Sequence, residues 1–199
     1  MGRATRRQHP LRRTPAVTRP IGELDKREAR PLYEQWFRQR DARLAWLRAH
    51  SALELPCTRD GLLEGWAWYA AWWQRTQGID DIDNQGLPYW WIPPAPESGT
   101  QAFPDATVAI IDALAVLFGE ALIAADDRFA WTMHESPKQV VGSNEPSLIR
   151  PGTAYIAVKP LGPLRNTTYR LIEGEERGQD PSTIGDVFDA NLNPPSFEF

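Results

Sequence analysis

Apolar residues recur every three or four positions in the first two thirds of the chain and alternate with polar ones afterwards. The helical spacing predicts three long helices, at Pro31–Ala49, Arg59–Gln77 and Asp105–Ala124. Proline is favoured in a first helical turn, so the first helix is predicted to begin at its proline. Gly78 suits the left-handed exit of the second helix. The third helix is apolar over most of its circumference, so we expect it at the centre of the core.

The alternating region predicts strands at Phe129–His134, Leu148–Arg150 and Thr153–Lys159. The last two flank Pro151-Gly152, a dipeptide suited to a type II turn. Because the strands follow one another directly in sequence, an antiparallel meander is expected.

Two short helices are predicted near the C-terminus, over residues 166–173 and after Asp180-Pro181. The chain is therefore expected to have an α+β fold, in which N-terminal helices and a core helix pack on a small antiparallel sheet. Residues 21–199 are predicted to form one domain with a long connection over residues 79–104, and residues 1–20 a disordered arm.

Charge is distributed unevenly along the 199 residues. The first 20 residues hold six of the 22 basic residues and none of the 26 acidic ones, so the rest of the chain has a net charge of −10. A basic arm can bind nucleic-acid phosphates, whereas the acidic body repels them. Nucleic-acid binding is therefore an alternative hypothesis, and its candidate residues are Arg3, Arg6, Arg7, Arg12, Arg13 and Arg19.

Composition limits the cellular compartments and the classes of protein to which the chain can belong. The chain has neither an apolar run of the length that spans a bilayer nor the apolar segment of a secretory signal, so no membrane association is expected. Cys57 is the only cysteine, which excludes an intrachain disulfide and agrees with a cytoplasmic location. Arg outnumbers Lys 19 to 3, a bias typical of GC-rich bacterial genomes such as those of actinobacteria.

Tryptophan is abundant, and six of the nine lie in the second helix and the connection after it. Such rings could form a stacking platform for a ligand, a protein-interaction surface or part of the core. Trp68 and Trp72 lie on a different face of the second helix from Trp66 and Trp73. We expect exposed aromatic rings for partner contact, and the candidates are Trp68, Trp72, Trp90 and Trp91.

Two carboxylates interrupt the apolar third helix. Asp112 and Glu120 are eight residues apart, so they lie on similar sides of the helix, and desolvation could separate their pKa values for acid/base chemistry. Glu120 follows Gly119, where a close approach between the helix and the backbone of another segment is expected. In the first helix, Arg40 and Arg43 are predicted to belong to a solvated face.

Other site motifs are incomplete. The segment Asp81–Gly86 resembles the start of a calcium loop, but Ile92 stands where the bidentate glutamate is needed. The three histidines have no metal-ligand spacing, and neither a phosphate loop nor a nucleophile signature is present. No metal, cofactor or catalytic residue is therefore expected, apart from the alternative of a small hydrolase-like enzyme that uses Asp112 and Glu120.

Residues 114–160 resemble a pattern in small bacterial domain families of unknown function. In LAVLFGEALIAADDRFAWTMHE and PSLIRPGTAYIAVKP, the matching positions are Gly119, Glu120, Trp131 and Pro151. The resemblance implies a cytosolic α+β domain that acts as an immunity or regulatory partner and implies no catalytic residue. We therefore expect a non-catalytic protein-interaction module whose partner is another protein.

Overall fold

The computed structural model describes residues 19, 21–78, 88–91, 102–134, 144–150 and 157–193. Within them, a 3-10 turn over Ile21–Glu23 precedes seven α-helices and two strands. The helices are α1 (Lys26–Arg38), α2 (Arg40–Ser51), α3 (Arg59–Thr76), α4 (Asp105–Ala125), α5 (Leu161–Ile172), α6 (Glu176–Gln179) and α7 (Ser182–Leu192). The strands are β1 (Ala130–Met133) and β2 (Pro146–Ile149), and the predicted α+β fold class is confirmed.

The predicted first helix is two helices. The α1 helix begins at Lys26 because Asp25 and Glu28 form a capping box. The Asp25 carboxylate accepts from the backbone N–H of Glu28 at 2.9 Å, and the Glu28 carboxylate accepts from the N–H of Asp25 at 3.0 Å. The prediction that the helix begins at Pro31 is therefore wrong, since this proline lies inside α1. The chain then breaks at Gln39 and continues as α2.

The α3 and α4 helices lie close to their predicted bounds. Thr58 caps α3 by accepting from the N–H of Gly61, and the helix exits through left-handed Gln77 and Gly78. Every residue of α4 from Ala106 to Gly119 is buried. By length and composition α4 could span a membrane. However, 78% of its most apolar 18-residue stretch is buried inside the fold, as in the core helix of a globular domain.

The sheet is small and antiparallel, as predicted. Ala130 pairs with Ile149 and Met133 with Pro146, and Leu148 forms a further antiparallel bridge to Val158. The bridge places a third segment beside β2, in the order expected for a meander. The predicted turn at Pro151-Gly152 and most of the predicted third strand lie outside the described residues.

Helices surround α4 on several sides. It contacts α2, α3, α5 and α7, so α4 is the central helix of the core. A two-residue ion pair joins α3 to α7, with Arg59 donating to both oxygens of Asp189 at 2.8–3.0 Å. The predicted helix after Pro181 corresponds to α7, whereas α5 begins five residues before its predicted start and α6 was not predicted.

Some predictions lie outside the described residues. They include the disordered arm up to residue 18, the calcium-loop segment Asp81–Gly86 and the irregular C-terminal tail. The single-domain organisation of residues 21–199 also stays a prediction.

Candidate functional site

A buried carboxylate on α4 collects three donors from separate parts of the chain. The Oδ1 atom of Asp112 accepts from the indole N–H of Trp36 at 2.8 Å and from that of Trp90 at 2.6 Å. Its Oδ2 atom accepts from Nε of Arg43. Because Asp112 has no exposed surface, these bonds replace the water that an ionised carboxylate would otherwise require.

Arg43 is the largest departure from the sequence interpretation. It was predicted on a solvated face, but its side chain is only 2% exposed. Besides the ion pair with Asp112, it donates to the backbone carbonyl of Trp36 at 3.0 Å. The sequence contained a signal for this burial: Arg43 lies four residues before the buried Leu47 in α2, which is the spacing of one helical face.

A second cluster lies two turns further along α4. The Oε1 atom of Glu120 accepts from Arg40 at 2.8 Å and from the indole N–H of Trp131 at 2.9 Å. The indole of Trp131 reaches this position by packing directly on Gly119, where a Cβ atom would lie 2.0 Å from the ring. The close approach predicted at Gly119 is therefore confirmed, but a side chain of β1, the indole of Trp131, makes it and not the expected backbone.

The two carboxylates belong to separate clusters. Asp112 accepts from Arg43 and two indoles, and Glu120 accepts from Arg40 and one indole, so the two carboxylates share no donor. The rings of Trp36 and Trp131 meet edge to face at 5.2 Å between centroids and connect the clusters. This arrangement fixes α1, α2 and β1 on α4, and it gives both oxygens of Asp112 and Oε1 of Glu120 donors from the protein itself.

Part of the long connection is packed into the same region. Pro88, Tyr89 and Trp90 are buried, and the guanidinium of Arg165 lies 5.8 Å from the ring of Trp90. The hydroxyl of Tyr89 donates to the backbone carbonyl of Asn144 at 2.9 Å. Burial, the largest effect, raises the pKa of Tyr89 well above its ordinary value. The phenol is therefore a neutral donor at physiological pH.

The four candidate interaction tryptophans are less exposed than predicted. Trp72 and Trp90 are each only 4% exposed and belong to the core, so the expectation of exposed rings is wrong for both. Trp68 and Trp91 are half-buried and pack against that core. The physical reason is that the rings pack on one another, for example Trp68 on Trp72 and Trp91 on Phe103. A role for the half-buried pair in partner contact stays a prediction.

His134 directly follows β1 and lies near two charged groups. Burial, the larger effect, and the positive charge of Lys159 lower its pKa, while Glu145 acts in the opposite direction. Glu145 itself accepts from Arg165 at 2.8 Å. Among the described residues, no group of three His, Cys, Asp or Glu side chains is arranged to hold a metal ion.

Acidic residues concentrate at the C-terminal helices. Residues 173–189 hold six acidic side chains and one arginine, and we define the acidic face by five of the six, which are exposed. Its base is rigid, because the indole of Trp66 donates to the carbonyl of Gly178 at 3.2 Å and α6 packs against α5. The acidic face consists of Glu173, Glu175, Glu176, Asp180 and Asp186.

No known protein family, curated protein sequence or solved structure matches the chain.

Proposed function

We propose that this chain is a non-catalytic binding module of the bacterial cytoplasm that acts as an immunity or regulatory partner of another protein. The observation that carries the proposal is the acidic face on α6, α7 and the turn before α6. The exposed charge there is predominantly negative, although Arg177 is also exposed and Arg170 pairs with Glu175 at 3.8 Å. Such an excess of charge on a rigid base steers and selects a partner of opposite charge. The partner's contact surface is therefore expected to be basic.

The alternative of an Asp112 and Glu120 enzyme has less support. A general acid or base must exchange a proton with substrate, and both carboxylates already accept hydrogen bonds from an arginine and a tryptophan. Asp112 also has no exposed surface through which a substrate could reach it. These contacts favour a role for both residues in holding the fold together.

The binding proposal is tested by charge reversal on the acidic face. The variant combines Glu173→Lys, Glu175→Lys and Glu176→Lys, and the control combines Asp41→Lys, Glu54→Lys and Asp127→Lys, which are exposed elsewhere. Both change the net charge by the same amount. Proteins cross-linked to wild-type chain in the source cells are identified by mass spectrometry and then purified for titration.

We expect one partner to be retained by wild type and control and to bind the acidic-face variant at least tenfold more weakly. Equal affinity for all three proteins would contradict the proposal.

The nucleic-acid alternative is tested by measuring the affinity for a DNA oligonucleotide of the full chain and of a chain that lacks residues 1–18. Arg19, the last arginine of the arm, already pairs with Glu28. Salt-sensitive DNA binding that disappears with the arm would favour the alternative.

A further inference from the structure

Two buried residues each connect the same pair of segments. The strap is defined as Pro88–Trp91, and the N-terminal segment as Ile21–Arg38. Asp112 accepts from Trp90 of the strap and from Trp36 of the N-terminal segment through the same oxygen atom. Asn144 accepts at its backbone carbonyl from Tyr89 of the strap.

The second connection is completed by the side chain of Asn144. Its amide nitrogen donates to the backbone carbonyls of Ile21 at 2.7 Å and Leu24 at 2.9 Å, at the start of the N-terminal segment. Asn144 has φ of 64°, a left-handed conformation that asparagine adopts more readily than other residues with a side chain. That conformation presents its carbonyl to the strap and its amide to the N-terminal segment.

Apart from these connections and the buried Ile21, the N-terminal segment is attached to the core mainly through the partly buried Leu32, Tyr33 and Phe37. Of the α1 residues, only Ala29 and Trp36 are buried. Segments with few buried apolar contacts open locally at lower free energy than the core does. The strap lies outside the helices and strands, and it is held in place by the burial of Tyr89 and Trp90, by their two acceptors and by the stacking of Trp91 on Phe103.

We propose that the strap and the N-terminal segment open and close as one cooperative unit, joined by Asp112 and Asn144. Loss of the strap from Asp112 leaves a buried carboxylate with one donor fewer, and the same carboxylate orients Trp36. Release of Tyr89 likewise frees the carbonyl of the residue that holds Ile21 and Leu24. Opening either segment therefore weakens the attachment of the other.

Amide hydrogen exchange measured by mass spectrometry on the full chain tests this coupling. Trp90→Phe and Trp36→Phe each remove one indole N–H from Asp112 and keep an aromatic ring. Trp66→Phe is the matched control, because it removes an indole N–H from another buried acceptor, the backbone carbonyl of Gly178, which belongs to neither segment. Tyr89→Phe breaks the second connection independently.

We expect Trp90→Phe, Trp36→Phe and Tyr89→Phe each to speed exchange about tenfold in both segments, the gain expected from one lost hydrogen bond to a buried acceptor. Exchange in α4 should change less, and Trp66→Phe should leave exchange in both segments unchanged. Faster exchange confined to the segment that carries the substitution would overturn the proposal. So would a uniform increase along the whole chain in all four variants.

Discussion

At the scale of single residues, Gly119 sets how closely β1 approaches α4. A methyl group at this position would lie 2.0 Å from the ring of Trp131, and the ring is held in place by its bond to Glu120. Any larger residue must displace the indole or bend α4.

Gly119→Ala is therefore predicted to lower the free energy of unfolding by about 1–3 kcal/mol, the usual cost of overpacking. Chemical denaturation monitored by circular dichroism measures the change. Gly162→Ala in α5 is the control, because a Cβ there meets nothing within 4 Å. It should leave stability unchanged or raise it by up to about 1 kcal/mol through helix propensity. Equal losses in the two variants would refute the steric explanation.

Arg43 and Asp112 form a buried ion pair whose members depend on each other. Arg43→Met leaves the Asp112 carboxylate without its cation and is predicted to cost about 3–5 kcal/mol of stability. Arg43→Met combined with Asp112→Leu removes both charges. The double variant should lose clearly less stability than the summed losses of the two single variants. A double-mutant cycle from denaturation midpoints measures the coupling, and additive losses would show that the pair does not interact.

At the scale of elements, the strand β1 is followed directly by a histidine, His134, whose proton is bound more weakly in the folded chain. Burial and Lys159 lower the pKa of His134 from its ordinary value of 6.5, and Glu145 only partly offsets them. The unfolded chain therefore takes up this proton at higher pH than the folded chain does.

The free energy of unfolding is accordingly predicted to fall as pH drops through 6.5 and to level off below the folded-state pKa of His134. His134→Gln removes the titrating group and should flatten this part of the profile. Urea denaturation at closely spaced pH values provides the measurement. An unchanged slope in the variant would assign the pH dependence to other groups.

Helices could be predicted from the sequence where one pattern of apolar residues continues for several turns. The α3 and α4 helices are such cases, because Leu62 and Trp66 or Val108 and Ile111 repeat at helical spacing and are fully buried. The break at Gln39 was not predictable from this pattern, since Tyr33 to Leu47 reads as one continuous stripe. The break depends on how Arg40 and Arg43 reach α4, which is a tertiary contact. The α6 helix has only four residues, which are too few to show a repeat of apolar positions.

The candidate site was predictable in part. Asp112 and Glu120 attract attention as charges in an apolar helix, and Gly119 as a small residue beside one of them. Their partners are separated from them by 11 to 80 positions in sequence, so spacing could not identify them. Asn144 carried no sequence signal at all, because its role depends on a left-handed backbone and on contacts with two distant segments.

At the scale of the whole molecule, tryptophan is mainly a core residue. All nine tryptophans are described, six are buried, and Trp68, Trp91 and Trp131 are half-buried. The expected aromatic surface is thus reduced to the flanks of these three rings, while residues 173–189 supply the concentrated exposed charge.

The intrinsic fluorescence of the native protein is therefore predicted to be blue-shifted and poorly quenched by iodide. Emission spectra and quenching constants are compared with those of the chain unfolded in guanidinium chloride, in which every indole meets solvent. Trp91→Phe should lower the residual quenching more than Trp66→Phe, because Trp66 has no exposed surface. Native quenching as strong as that of the unfolded chain would contradict the burial.

The ion pair between Arg43 and Asp112 also has an evolutionary consequence. A mutation at either position alone leaves a charge in a water-free interior, so a lineage that loses one member passes through a poorly folded intermediate. The two positions should therefore covary in descendants of a common ancestor, either as arginine with aspartate or as two apolar residues. Trp36 and Trp90 should be retained with the first combination and drift in the second, which gives a sequence signature by which distant relatives can be recognised.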